Sequence, residues 1–318
     1  MCQAYQSLDD VPADIGPCVL TVGNFDGVHR GHQRILIEAV EIARSEGWRS
    51  VALTFDPHPT KVVAPERAPV LLSSMGQRLE RFEQIGVDAA LVMPFTQALA
   101  ALSPEDFVSQ IVVERLGARA VVVGSNFRFG RRHAGDVATL VELGRHYGFS
   151  GRAVEPLEIE GEVVSSTRVR NAVLEGRMER ANRLLGEKFR LWGTVVRGRG
   201  VGRNLNAPTL NIEPDSELLP ADGVYVTPTL DLATGELWRS VTNVGVRPTF
   251  DLAERAVETH LISEFDGQRL ERIEVRFLKR LREERKFDSP DELRDQIMTD
   301  VAQAERLFSL HETVAADG

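Results

Sequence analysis

The stretch from Cys18 to His32 constrains the fold most, because it carries the marks of a strand, a glycine-rich turn and a helix start in direct succession. Its sequence is CVLTVGNFDGVHRGH. The apolar run 19–22 is typical of a short buried strand, and apolar residues from Ile35 onward recur at helical spacing. Free backbone N–H groups and the helix dipole attract anions at a helix N-terminus. The stretch therefore predicts a strand–turn–helix unit with a seat for phosphate.

Two histidines lie at the predicted helix start. His29 and His32 are three residues apart, so on a first helical turn they would face the same way. Imidazoles beside a cluster of N–H groups can donate hydrogen bonds to nucleotide phosphates while charge builds up during transfer. Gly31 between them would let that backbone come close. A pair of surface histidines beside a turn has the same spacing, so the short motif alone leaves both interpretations open.

Length and charge restrict the classes of function. A chain of 318 residues favours two domains. A net charge of -9 argues against binding to nucleic acid or to an anionic membrane, which requires a basic surface. Cys2 and Cys18 are the only cysteines, so we expect no disulfide framework and a cytoplasmic location. We recognise no signal peptide and no membrane-spanning run, and the oligomeric state stays open.

The first half of the chain alternates between strand and helix patterns. Further strands are predicted at 50–55, 87–93 and 118–123, with helices at 77–85 and after Ser103 between them. Such alternation is typical of a parallel α/β sheet of Rossmann type. Ligands of these sheets bind at the carboxyl ends of the strands. We therefore expect the turn after residue 22 and two later loops to lie at one ligand-binding edge.

The two later loops carry residues suited to a nucleotide or a flavin. His58 stands in the Asp-Pro-His-Pro loop after the second strand, where a structural role and a ligand-facing role are equally compatible with the chemistry. The loop 124–136 combines glycines, two phenylalanines and three arginines. Aromatic rings can stack on a planar ring, and arginines can neutralise phosphates. A solvated basic loop with two core phenylalanines is the alternative.

Hydroxyl and guanidinium groups precede a further helix near residue 170. The run 165–170 reads Ser-Ser-Thr-Arg-Val-Arg. Hydroxyls at a helix start are first of all caps, but together with two arginines they form a second candidate anion site. A helix at 178–185 then ends at Gly186, a plausible C-cap. We place the domain boundary there, with one domain at 1–186 and the other at 187–318.

Beyond that boundary, strand-like runs separated by turn signals replace the alternation. Runs at 189–196, 208–212, 223–229, 238–244 and 256–262 predict an antiparallel β-barrel, and a helix from about Pro290 closes the chain. Thr209 and Asn211 point to one side of a strand and can jointly hold a hard cation such as Mg²⁺. The Gly/Arg turn at 197–203 suits a phosphate cradle, or is a basic hairpin loop.

Taken in order, these motifs resemble one enzyme family. The run from Gly23 to His32, the Asp-Pro-His-Pro loop and the Asn-Phe-Arg-Phe-Gly loop resemble the FMN adenylyltransferase module of bacterial bifunctional riboflavin kinase/FAD synthetases. That module belongs to the nucleotidylyltransferase superfamily. Pro-Thr-Leu-Asn at 208–211, Asn-Val-Gly at 243–245 and Val-Glu-Thr-His at 257–260 resemble the riboflavin kinase module of the same family. The resemblance covers nearly the whole chain.

The resemblance implies a set of site residues. For adenylyl transfer it implies catalytic roles for His29, His32 and Arg170. It implies nucleotide or flavin binding in the first domain by Gly23, Asn24, Phe25, Asp26, Gly27, His58, Asn126, Phe127, Arg128, Phe129, Ser165, Ser166, Thr167 and Arg168. In the kinase it implies Glu258 as the general base, Thr209 and Asn211 as ligands of Mg²⁺, and Gly202, Arg203 and Asn243 as binding residues.

The implied fold is a Rossmann-like nucleotidylyltransferase domain followed by an antiparallel riboflavin kinase barrel with a C-terminal helix. The implied activity is phosphorylation of riboflavin by ATP to FMN, and then adenylylation of FMN by a second ATP to FAD with release of pyrophosphate. The FMN phosphate is already an anionic nucleophile, so the second step needs positioning and charge stabilisation but no general base.

The sequence departs from the family in two places of the kinase half. The Gly-Phe pair that usually precedes Pro-Thr is replaced before Pro208, and a Tyr-Gly pair common in the family is absent from 265–275. Two alternatives therefore stay open at this point. One is a monofunctional FMN adenylyltransferase with an impaired kinase domain, and the other is a flavin-binding module without turnover.

Overall fold

A computed structural model describes residues 2–196, 209–248, 253–263, 265, 267 and 269–316. The chain divides into two compact units, Met1–Ser166 and Thr167–Gly318. The predicted sites at Gly202 and Arg203 lie outside the described residues.

The first unit consists of strands and helices in alternation. Its strands are β1 (Gln3–Tyr5), β2 (Cys18–Val22), β3 (Arg49–Asp56), β4 (Ala89–Pro94), β5 (Ala118–Gly124), β6 (Ser150–Val154) and the hairpin β7 (Glu158–Ile159) and β8 (Glu162–Val163). Its helices are α1 (Arg30–Glu46), α2 (Pro59–Val63), α3 (Met75–Ile85), α4 (Gln97–Ala101), α5 (Pro104–Asp106), which continues as the π-helix Phe107–Arg115, and α6 (Val137–Tyr147).

The six longer strands form one parallel sheet in the order β1-β4-β3-β2-β5-β6. Strand β2 is central, and all five of its residues are buried, which is why its sequence is an uninterrupted apolar run apart from Thr21. The chain leaves β2 toward β3 on one side and later returns to β5 on the other, so the order reverses beside β2. The Rossmann-like prediction is confirmed, and the turn after Val22 lies at the switch point where such sheets bind ligands.

Capping residues set the helix ends much as the sequence predicts. The Ser103 hydroxyl accepts a hydrogen bond from the Asp106 N–H (3.0 Å) at the start of α5. Ser74 and Gln77 form a reciprocal capping box at the start of α3, which begins two residues before the predicted position. Strand β4 begins at Ala89 instead of residue 87, and the strands β1, β6, β7 and β8 are absent from the sequence prediction.

The second unit contains two short helices, seven strands and a long terminal helix within its described residues. The helices are α7 (Ser166–Leu174), which begins on the last residue of the first unit, α8 (Met178–Leu185) and α9 (Pro290–Ala316). The strands are β9 (Phe189–Val196), β10 (Thr209–Pro214), β11 (Gly223–Asp231), β12 (Leu237–Pro248), β13 (Ala253–Leu261), β14 (Arg272–Phe277) and β15 (Lys279–Arg282).

These strands form an antiparallel barrel. The order is β12-β13-β10-β9-β14-β11, and the pairing of β11 with β12 closes the ring, while β15 pairs with β11 as an addition. Helix α9 packs its Ala304 and Phe308 on Val226 and Val241 of the barrel wall. The predicted barrel with a C-terminal helix is confirmed, and Ser289 caps that helix through the N–H of Glu292 (3.2 Å).

The interior of the barrel holds a line of hydroxyl groups. Thr227, Thr229, Ser240, Thr242 and Thr259 are fully buried. Hydrogen bonds of 2.7–2.9 Å connect them across β11, β12 and β13. Because every hydroxyl has a partner, the cost of burying it is offset, and a register slip between these strands would break the line.

Candidate active sites

The turn between β2 and α1 has a strained backbone. Phe25 (φ 49°) and Val28 (φ 36°) lie in the left-handed region, which costs a residue with a side chain on the order of 1–3 kcal/mol. Gly27 shares this conformation (φ 76°), and a Cβ there would lie 2.8 Å from the Leu72 side chain. Neighbouring structure must therefore hold the turn in place.

The segment before α3 holds this turn. Asp26 is buried, and its Oδ1 accepts hydrogen bonds from the N–H groups of Leu72 (2.9 Å) and Ser73 (3.3 Å). The N–H of Gly27 donates to the Ser73 hydroxyl (3.0 Å). This Asp26 oxygen therefore anchors the turn to the backbone of the segment before α3. The sequence predicts Asp26 as a ligand-binding residue and does not predict this anchoring role.

The predicted histidine pair comes together at the start of α1. His29 is the N-cap, and its Nδ1 accepts the N–H of His32 (3.3 Å). The two imidazoles stack, with ring centroids 3.6 Å apart, and the ring of Phe25 meets His32 edge-on. A Cβ on Gly31 would lie 3.2 Å from the His29 ring, so glycine gives that ring its space. Because Nδ1 of His29 is an acceptor, its hydrogen in the neutral form is on Nε2.

Burial keeps both imidazoles neutral. It lowers the pKa of His29 from 6.5 to about 4. The pKa of His32 is lowered well below its usual value by burial, and further by the neighbouring His29 and by Arg78. The His32 side chain is half-buried by surface exposure, and all three causes lower its pKa. Near neutral pH both rings are therefore hydrogen-bond donors without a charge.

Asn24 is fixed through its backbone and its side chain. Its carbonyl accepts hydrogen bonds from the Thr54 hydroxyl (3.1 Å) and from Nη1 of Arg78 (3.2 Å). Its amide lies 3.1 Å from Nε2 of His58. The structure thus brings together the predicted residues Asn24 and His58, which are 34 positions apart in sequence.

The aromatic residues of the loop 124–136 face the core. Phe129 is buried, stacks on Phe127 (centroids 5.4 Å apart) and packs on Phe107. This packing corresponds to the alternative of core phenylalanines, and it leaves little of the Phe129 ring for a ligand. Arg128 pairs with the carboxylate of Asp136 (3.2 Å) near the surface, and Asn126 is exposed.

The serine-rich segment reaches the same turn. The Ser166 hydroxyl donates to the main-chain oxygen of Asp26 (3.0 Å), so the last residue of the first unit contacts the turn between β2 and α1. Ser165 precedes it, half-buried. Thr167, Arg168 and Arg170 follow on α7 in the second compact unit, with Thr167 exposed and both arginines half-buried.

The barrel places the predicted kinase residues on one face. Asn211 of β10 is directly opposite Glu258 of β13, which in turn is opposite Asn243 of β12. Directly opposed residues share a face of the sheet, so these three side chains form a row across three strands. Thr209 is opposite His260 two pairs further along, on the same face, and its hydroxyl lies 3.2 Å from the ring nitrogen Nδ1. Burial lowers the pKa of His260.

One atom of this row suits a cation. Oδ1 of Asn211 is buried and has no hydrogen-bond partner among the described residues. An amide oxygen of this kind is a ligand that Mg²⁺ accepts, and Mg²⁺ uses few protein ligands when phosphates supply the rest. The described residues contain no cluster of three or more His, Cys, Asp or Glu side chains that could hold a metal. A metal here would therefore depend on Asn211, Thr209 and the phosphates of a nucleotide.

Comparisons with known proteins match each half of the chain to a protein family. The family model for FAD synthetase matches residues 11–168, and the model for riboflavin kinase matches residues 185–308. A bifunctional riboflavin kinase/FMN adenylyltransferase from Pseudomonas fluorescens is 39% identical over 307 residues, covering 96% of this chain and 97% of the relative. The chain belongs to the bifunctional riboflavin kinase/FMN adenylyltransferase family. It is an enzyme of FAD biosynthesis that converts riboflavin to FMN and FMN to FAD with ATP as co-substrate.

Two further relatives extend the comparison. The bifunctional enzyme of Escherichia coli K12 is 35% identical over 293 residues, covering 92% of this chain and 93% of its own. A crystal structure described as a macrolide-efflux protein from Streptococcus pneumoniae superposes with a TM-score of 0.83 at 28% identity, covering 95% of this chain and 98% of its own. None of the helices in the described ranges combines the length and the hydropathy that a bilayer crossing requires.

Sequence reasoning missed the residues that support the first site. Arg78 is buried, its Nη2 donates to the carbonyl of Ser73 (3.3 Å), and burial lowers its pKa although Asp26 and Asp56 act against that shift. Arg78 lies one turn before Phe82 on the buried face of α3. A charged residue at a core position of an amphipathic helix was the signal available in the sequence.

Proposed function

We propose that the two activities are divided between the two groups of residues. For adenylyl transfer, His29 and His32 of the first unit, both neutral, donate hydrogen bonds to the phosphates of ATP as AMP passes to the FMN phosphate. The family resemblance assigns charge stabilisation in the same step to Arg170 of α7. The tautomer of His29 supports this role, because its Nδ1 is occupied and its Nε2–H is available as a donor. The stacked geometry supports joint action of the pair.

For the kinase, we propose that Glu258 accepts the proton of the riboflavin 5′-hydroxyl while Thr209 and Asn211 hold Mg²⁺. The cross-strand row of Asn211, Glu258 and Asn243 is the observation that carries this assignment. The unpartnered Oδ1 of Asn211 fits a cation. Bound Mg²⁺ would neutralise charge on the transferred phosphate. The neighbouring His260 then orients the Thr209 hydroxyl through the 3.2 Å contact.

The test uses single substitutions in the full chain with riboflavin, ATP and Mg²⁺ as reactants. His29→Ala should abolish FAD formation and leave FMN formation unchanged, whereas Glu258→Gln should abolish FMN formation and leave adenylylation of added FMN unchanged. Chromatographic separation of riboflavin, FMN and FAD reads both steps at once. Loss of both activities from either variant, in protein that is still folded, would contradict the division.

The metal assignment has a readout besides turnover. The affinity for ADP, measured by calorimetry, should depend on Mg²⁺ in the wild-type chain. Asn211→Ala should remove that dependence and leave the affinity measured without Mg²⁺ unchanged. The control is Asn206→Ala, a nearby asparagine in the same sequence segment that has no predicted role as a ligand. Equal Mg²⁺ dependence in all three proteins would refute the assignment.

We further propose a cytoplasmic location and a boundary between the two functional modules at 186–187. Cys2 and Cys18 carry free thiols, which fits a reducing compartment. The match of the riboflavin kinase model from residue 185 supports the boundary, whereas the compact units divide at residue 166. An experiment therefore has to decide whether helices α7 and α8 belong with the adenylyltransferase or with the riboflavin kinase.

A further inference from the structure

His58 makes two contacts that restrict its protonation state. Its Nδ1 accepts the N–H of Thr60 (3.2 Å), which caps the first turn of α2. Pro59 has no N–H, so the Thr60 N–H is the first donor of that helix. The other ring nitrogen, Nε2, lies 3.1 Å from the amide nitrogen Nδ2 of Asn24. The imidazole therefore bridges α2 and the phosphate-binding turn.

The two contacts decide where the hydrogen atoms are. A neutral imidazole has one donor nitrogen and one acceptor nitrogen. With Nδ1 accepting from Thr60, Nε2 carries the hydrogen and is a donor. The amide nitrogen of Asn24 is also a donor, so the pair satisfies both groups only when the amide is turned by 180° and presents its Oδ1 to His58.

We propose that His58 is a positioning residue for adenylyl transfer: its Nε2–H holds Oδ1 of Asn24, so that the Asn24 amide NH₂ donates to an oxygen of the bound nucleotide. The proposal rests on the proposed location of AMP transfer at this site. It assigns His58 an indirect role in place of the direct ligand contact that the sequence motif suggests.

The surroundings of Asn24 favour this role. Its carbonyl is held by Thr54 and by the buried Arg78, so the backbone of the turn cannot shift to compensate for a rotated side chain. The amide itself is partly exposed, and its only anchor that we identify among the described residues is His58. Two contacts thus fix the main-chain carbonyl of Asn24 and one fixes its side-chain amide, immediately before the strained residue Phe25.

Two substitutions of His58 separate this role from helix capping. In His58→Asn, the side-chain oxygen reaches the position of Nδ1 and can still cap Thr60, but nothing reaches Asn24. In His58→Gln, the amide nitrogen reaches the position of Nε2 and can still donate to Asn24, but the cap is lost. FAD formation from FMN and ATP is measured in the full chain, and riboflavin phosphorylation in the same molecules serves as the internal control.

We expect His58→Asn to lower kcat/KM for ATP in FAD formation by at least about tenfold, and His58→Gln to stay within about threefold of wild type. Thermal unfolding should rank the two variants in the opposite order, because only His58→Asn keeps the cap. A purely structural role of His58 would make activity follow stability, with His58→Gln the weaker enzyme. That result would overturn the proposal.

Asn24 variants complete the test. In an Asn24→Ala background, His58→Asn should cause no further loss, because its effect passes through the missing amide. Asn24→Asp keeps an acceptor for His58 but replaces the NH₂, so it should raise KM for ATP strongly. Additive losses in the double variant, or an unchanged KM in Asn24→Asp, would refute the inference. His29→Ala separates failure of this inference from failure of the proposed site. Retained FAD formation in His29→Ala would refute the proposed site of adenylyl transfer itself.

Discussion

The buried histidine pair makes the stability of the first unit depend on pH. Burial lowers the pKa of His29 from 6.5 to about 4. Between these values the unfolded chain binds a proton that the folded unit does not, so the unit loses stability as pH falls. A shift of this size corresponds to roughly 3 kcal/mol, at 1.36 kcal/mol per pKa unit. The stability that the first unit gains from keeping His29 neutral is fully present above pH 6.5 and is lost by about pH 4.

The matched variant is His29→Asn, since asparagine can cap α1 through its side-chain oxygen but does not titrate. The free energy of unfolding by urea is measured at several pH values between 4 and 7. Trp48 reports on the first unit when Trp192 and Trp238 are replaced by phenylalanine in both proteins, because these are the three tryptophans of the chain. Stability relative to the variant should fall by roughly 3 kcal/mol across this range.

A parallel pH profile for wild type and His29→Asn would refute this reasoning. It would mean that the folded unit opens enough to protonate His29 near its ordinary pKa. Without such opening, the stacked contact with His32, at 3.6 Å between centroids, disfavours protonation of both rings, because the two positive charges would lie side by side.

Two further predictions concern the barrel, and each has a control on the same element or sheet. Gly193→Ala should destabilise the second unit by about 1–3 kcal/mol in urea denaturation, because the new Cβ would lie 2.5 Å from the Glu213 carbonyl oxygen. The control is Gly245→Ala, which should be nearly neutral because the new Cβ meets only the flexible end of the Glu284 side chain. Asp300→Ala should lower the free energy of unfolding by about 3–5 kcal/mol, because both carboxylate oxygens of Asp300 accept hydrogen bonds from the Arg282 guanidinium (2.8–3.1 Å). The control is Asp295→Ala on the exposed side of α9, which should have little effect on stability.

The sequence was sufficient to predict those features that a local residue pattern determines. The apolar run of β2 predicts a central buried strand, and the alternation of Thr209 and Asn211 predicts a shared face. The cross-strand position of Glu258 follows from register, which no local pattern contains. Strand β14 was not predicted, although charged residues alternate with apolar ones along it, which is a strand signal. The burial of Glu274 against Arg190 (3.1 Å) depends on pairing with β9, which the local pattern does not contain.

The first site shows the same limit. His29 and His32 are recognisable from their spacing, but the role of Arg78 depends on α3 packing against a turn 54 residues earlier in the chain. Phe25 and Phe129 looked available to a ligand, yet both rings are buried in the core. Tertiary packing, which sequence periodicity does not encode, decides whether an aromatic residue in a motif supports a site or contacts its ligand.

The position of the domain boundary can be tested through α8. Asn182 on this helix is buried, donates from Nδ2 to the Phe277 carbonyl (2.9 Å) and accepts the N–H of Phe189 (2.7 Å). Removing these partners leaves two backbone groups of the barrel unsatisfied, which costs about 2–4 kcal/mol before any loss of apolar burial is counted. A fragment of residues 167–318 should therefore unfold in urea at a distinctly higher midpoint than one of residues 187–318.

The variant Asn182→Ala in the full chain isolates the hydrogen-bond contribution from the rest of the helix. It should destabilise the second unit by a similar 2–4 kcal/mol, with riboflavin phosphorylation lost in parallel with folding. Equal midpoints for the two fragments would mean that the barrel satisfies the Phe189 N–H and the Phe277 carbonyl without α8. In that case the barrel does not need α8, and the result would support the proposed boundary at 186–187 in energetic terms.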